Sequence, residues 1–149
     1  MTPEETILRA ICVLISVRTN EILIEIADNA DDDVQCPALE AAKEESTIPS
    51  RPGNVDYTIV QAELTEKDRI VKTSRYCLTI TLSAEGRRPA TQCYRYASAL
   101  GRALRENPTL DGIAAHTAIT KKDYRPPRVR ESGEMHRLLI SVSVTVETV

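Results

Sequence analysis

The stretch Leu138–Val146 repeats with a period of two. Leu138, Ile140, Val142, Val144 and Val146 share one parity, while Leu139, Ser141, Ser143 and Thr145 hold the other. A helix would scatter both sets around its circumference, whereas a strand sends them to opposite faces of a sheet. Upstream, Tyr76, Leu78, Ile80 and Leu82 alternate with Cys77, Thr79 and Thr81 in the same way. Two strands of this kind commit the chain to a sheet with one apolar face, and that face needs a covering layer.

Two segments can supply the cover. Thr2, Pro3 and Glu5 spell a helix start, with Thr2 as cap, Pro3 at the first helical position and Glu5 closing a capping box. Ile7, Leu8, Ile11, Leu14 and Ile15 then recur at helical spacing, which predicts a helix to about Arg18 with Asn20 as its stop. Pro89 opens a second helix lined by Tyr96, Ala97, Leu100, Ala103 and Leu104, and Asn107-Pro108 ends it. The remaining pieces read as strands. Ile22, Leu23, Ile24 and Ile26 form a short β-branched run; Tyr57, Ile59 and Ala62 form another, turning near 66–68 before Ile70 leads into the 76–82 strand. After an Asp111-Gly112 turn, Ile113, Ala115, Thr117 and Ile119 suggest a fourth.

The expected architecture is α+β, a mostly antiparallel β-sheet with two helices packed on one face and a long loop or arm. Residues 1–149 form one domain, since 149 residues are too few for two independent cores. The arm is 28–54. It carries Asp28, Asp31, Asp32 and Asp33, then Pro37, Pro49, Pro52 and Gly53, with Ala38–Glu45 as a short helical candidate. Such a connection reads as mobile and functional. The final strand nearly reaches the last residue of the sequence; as a sheet edge it would be open to another subunit.

Composition narrows the chemistry. Five Tyr with no Phe or Trp leave few flat faces for stacking bases or sugars. Cys12, Cys36, Cys77 and Cys93 are isolated, so neither a zinc site nor a thioredoxin-type pair is supported, and reduced thiols in a cytosolic setting are the simplest reading. The acidic start MTPEET is no signal-peptide n-region, and the apolar stretch from Ile7 to Val17, interrupted by Arg9, is far too short to span a membrane. The Asp28–Asp33 run fails as a calcium loop, because its sixth and twelfth positions are Asp33 and Leu39. The sequence contains no phosphate-binding loop, dinucleotide fingerprint or nucleophile elbow. No cofactor and no metal is therefore expected, and no catalytic residue is assigned.

The net charge of −3 conceals an asymmetry. Residues 1–66 hold four Lys/Arg and fourteen Asp/Glu, a balance of −10, and residues 67–149 hold fifteen and eight, a balance of +7. The basic half concentrates Lys121, Lys122, Arg125, Arg128 and Arg130 around Asp123 and a diproline. Either nucleic acid or an acidic neighbour, such as residues 28–33 of another copy, suits that segment, and the protein contact is favoured. The alternative is that folding interleaves the charges and cancels the dipole.

The helix ending in ALGRALRENPTLDGIA, the L-x-G turn Leu110-Asp111-Gly112, the arginine-rich loop and the closing MHRLLISVSVTVET resemble the tail-terminator or tail-completion proteins of long-tailed bacteriophages. The resemblance covers 3–18 and 55–147 as an order of elements, with recognisable local pattern only over about 97–146. It implies a virion protein of the tail or neck, assembled in the host cytoplasm as a hexameric ring. Such a ring ends tail-tube polymerisation, meets tail-tube and head-completion or neck proteins, and lets DNA pass through. It implies no catalytic residue. Candidate interface residues are Asp31, Asp32, Asp33, Arg125, Arg128 and Arg130. Two alternatives stand beside it: a nucleic-acid-binding module using the 121–130 loop, and a small cytosolic enzyme built around Cys77, His116 or His136.

Overall fold

A computed structural model describes residues 2–41, 54–66, 72–84, 88–126 and 136–148. The N-terminal helix α1 (Pro3–Leu14) begins as its sequence dictates: the Thr2 hydroxyl accepts from the Glu5 N–H at 3.2 Å, and the Glu5 carboxylate accepts from the Thr2 N–H at 2.6 Å. It does not stop at Asn20. A π-helical segment, Ile15–Thr19, carries it directly into α2 (Asn20–Ala30). The predicted strand over Ile22–Ile26 is therefore helix. Ile22 and Leu23 are buried and Ile24 is 64% exposed, a helical pattern in which two adjacent residues face inward. Tertiary burial of Ile15, Ile22 and Leu23 outweighs the β preference of a run of isoleucines.

The sheet has five strands in the order β1-β2-β3-β5-β4, comprising β1 (Glu40–Ala41), β2 (Asn54–Glu66), β3 (Lys72–Ala84), β4 (His116–Arg125) and β5 (His136–Thr148). All pairings are antiparallel except β1 with β2. The 76–82 and 138–146 strands prove to be the central pair, in register from Lys72↔Thr148 to Ala84↔His136. The final strand is thus interior, not an edge. Its hairpin partner β4 takes the edge instead, because β5 folds back between β4 and β3. Lys121–Arg125, expected as loop, continue β4 past a bulge between Ile119 and Lys121.

Helix α3 (Pro89–Glu106) crosses from β3 to β4. Its inner stripe Tyr96, Ala97, Leu100, Ala103 and Leu104 is buried, with Gly101 beside it. A Cβ on Gly101 would stand 3.7 Å from Ile119 Cδ1 and 3.3 Å from the Arg105 guanidinium, so glycine permits a close approach to β4. After the helix, Leu110, Asp111 and Gly112 all take positive φ, which makes this turn left-handed throughout. The helices and the inner face of β3 and β5 close one aliphatic core, with Ile7, Ile11, Leu78, Ile80, Leu100 and Ile140 at its centre. The architecture is α+β, with its helices on one face of the sheet.

Candidate functional site

The acidic arm is anchored where it is described. Asp28 lies within α2, and Asp31 ends that helix in a left-handed conformation. Beyond it, Val34 and Leu39 are buried. Asn20 clamps Leu39 like a strand partner: its Oδ1 accepts the Leu39 N–H at 2.8 Å and its amide donates to the Leu39 carbonyl at 3.0 Å. The Tyr96 hydroxyl donates to the Pro37 carbonyl at 2.8 Å, and Arg95 donates to the Val34 carbonyl and pairs with Asp32. Extended backbone at 40–41 replaces the start of the predicted 38–45 helix; its remainder, and 42–53 of the arm, lie outside the described residues.

These contacts settle part of the charge question. Asp32, a candidate for an intermolecular contact, is bound to Arg95 of its own chain, whose hydrogen bond holds the Asp32 carboxyl below its ordinary pKa. Glu25 meets Arg102 at 3.4 Å, and Arg18 meets Glu106 at 2.6 Å. The Asp32–Arg95 and Glu25–Arg102 pairs therefore offset part of the asymmetry within the chain, whereas Arg18–Glu106 joins the minority charge of each half. Asp31 and Asp33 are exposed, as is Arg125, which pairs with Asp123 at 2.9 Å. Arg128 and Arg130 lie outside the described residues.

The cysteine–histidine reading gains no geometry. Cys77 is paired across β3–β5 with Ser143 and is exposed, while His136 sits at the other end of β5, opposite Ala84. Seven residues of strand separate Ser143 from His136, about 23 Å. His116 lies opposite Thr145, on a strand separated from Cys77 by β5. His136 instead contacts the Tyr124 hydroxyl through Nδ1 and stacks on its ring, with centroids 5.7 Å apart; Tyr94 meets Tyr124 at 6.4 Å. No group of three or more His, Cys, Asp or Glu that could hold a metal ion occurs among the described residues.

What distinguishes the surface is the second face of the sheet. Arg75 and Cys77 there are exposed, and Thr79, Thr81, Leu139, Ser141, Ser143 and Thr145 are half-buried, with no described helix over them. Inner and outer sets alternate residue by residue, so Thr79, Thr81, Ser141, Ser143 and Thr145 face outward, together with Arg75, Cys77 and Leu139, where aliphatic neighbours face the helices. Compared with protein-family models the chain matches none, and no curated protein is significantly similar to it in sequence.

Proposed function

We propose that this chain is a non-catalytic structural subunit of a phage tail or neck, assembling as a ring that ends tail-tube growth and joins the tail to head-completion proteins. The observation that carries the reading is the one-sided sheet: helices bury one face, and the other offers neighbours a surface of mostly hydroxylated side chains with Arg75, Cys77 and Leu139 among them. The element order supports it too. Helix, hairpin, helix, left-handed Leu110-Asp111-Gly112 turn and closing hairpin follow the order that the sequence resemblance implies. A ring subunit needs two different, mutually complementary surfaces, because a heterologous contact repeats until the rotation closes.

Light scattering and electron microscopy of the full chain, alone and with tail-tube protein, test this. A species near six subunits that caps tubes is expected; a strict monomer that ignores tube protein rejects the reading. The competing nucleic-acid reading draws on exposed Lys121, Lys122 and Arg125 along β4. It requires binding that falls steeply with salt, and an absence of any gel shift at low salt removes it.

A further inference from the structure

The strands that border the two sides of the sheet over most of its length, β2 and β4, differ in charge. On one side β4 bonds only to β5 among the described residues. At the other, β1 covers only Asn54 and Val55 of β2, so residues 56–66 of β2 bond to β3 alone among the described residues. Among the described residues, each of these edges leaves a row of backbone donors and acceptors about 30 Å long without a strand partner. Strand β2 carries Asp56, Glu63 and Glu66 and no basic residue, whereas β4 carries Lys121, Lys122 and Arg125 against one aspartate.

We infer that the β4 edge of one copy takes the β2 edge of a second copy, continuing the sheet from subunit to subunit. The inference rests on the ring reading above and names its junction. Strands β2 and β4 run antiparallel within the chain, since β2 and β5 both oppose β3 and β4 opposes β5. A neighbour added in the same sense therefore meets β4 as an antiparallel partner, the geometry this sheet already uses. Charge then selects among the possible pairings. Joining β4 to β4 or β2 to β2, as a two-fold dimer would, sets like charges against each other; only the head-to-tail pairing sets basic against acidic. The bulges in both strands, at Gln61/Glu63 and Ile119/Lys121, twist the edges away from indiscriminate pairing, and the charges restore selectivity for one partner.

The test is a charge swap read by light scattering and native mass spectrometry on the full chain. Lys121→Glu with Lys122→Glu, and separately Asp56→Lys with Glu63→Lys, should each raise the concentration for half-assembly at least tenfold. Circular dichroism checks that each variant remains folded. An equimolar mixture of the two variants should assemble again, with the subunits alternating, and so should one chain carrying all four changes. If the wild-type chain assembles and the single swaps assemble equally well, or if neither the mixture nor the four-fold variant recovers, the junction is wrong while the ring stands. If the wild type never assembles, alone or with tube protein, the ring reading itself fails and the junction with it.

Discussion

The two faces of the β3–β5 pair are written by the same strands yet obey opposite rules. On one, Leu78, Ile80, Leu82, Ile140 and Val144 are wholly buried beneath helices; on the other, Thr79, Thr81, Ser141 and Ser143 keep part of their surface in water. Hydrophobic burial at ~25 cal/mol per Å² of apolar surface makes the first face the source of stability. The second contributes little to folding and is free to be shaped by partners. Because the side-chain period is two, a register slip of one residue would exchange the faces, so the pattern that specifies the core also specifies the exposed surface.

The largest contrast is expected from truncation on either side of one strand. Ile140→Ala should cost about 2–5 kcal/mol in denaturant unfolding, from lost transfer energy and a residual cavity. Thr79→Ala on the opposite face should stay within about 0.5 kcal/mol. Equal losses would mean that an unseen layer covers the outer face. Next comes the arm clamp. Asn20→Leu removes both bonds to the Leu39 backbone, for a loss of about 1–3 kcal/mol, and hydrogen exchange at the Leu39 amide should accelerate.

Thiol chemistry provides a smaller contrast. Cys77 is exposed on the outer face, whereas burial pushes the Cys93 thiol up to about 11 and raises that of Cys36. At neutral pH an alkylating reagent should label Cys77 in the native protein and spare Cys93 until the chain unfolds. The smallest effect belongs to Glu106, whose carboxyl is held at about 2 chiefly by its hydrogen bond from Arg18. Folding lowers this pKa, so its contribution is complete above the ordinary value of 4.5 and is lost as pH falls toward 2. Glu106→Gln should flatten the acid limb of stability across that window only slightly, since the pair is solvent-screened.

Where a pattern had one physical reading, the sequence sufficed. Alternation at 76–82 and 138–146 marked two strands with one buried face, the Thr2–Glu5 capping box placed the first helix start, and Asn107-Pro108 ended the second helix. It failed at Ile22–Ile26, where isoleucines suit strand and helix alike and only packing decides. Asn20 looked like a stop because an exposed asparagine favours turns. Here its amide bonds to the Ser16 carbonyl and to Leu39, so helix and arm together occupy the groups that would otherwise favour a turn. Arg95 and Tyr96 are more than fifty residues from their arm partners Asp32 and Pro37, a separation that no local pattern encodes. One signal was available: a tyrosine in the apolar stripe of a helix brings a hydroxyl that needs an acceptor. Strand order was likewise invisible, since the same alternation fits a central strand or an edge.

The widened turn at Ile15–Thr19 gives the N-terminal helix an angular phase that depends on its residue count. The Thr19 hydroxyl, wholly buried, donates at 3.3 Å to the Leu14 carbonyl five residues back, filling the wider ring. The widened turn takes up one residue more than a uniform α-helix would over the same rotation, so rewinding it as α with every residue kept would turn everything after it by about 100°. Ile22 and Leu23 would rotate out of the core, and Asn20 would swing away from Leu39. A single deletion within the widened turn should therefore be tolerated, because uniform winding then leaves Ile22 and Leu23 facing the core, whereas an insertion there would turn them away.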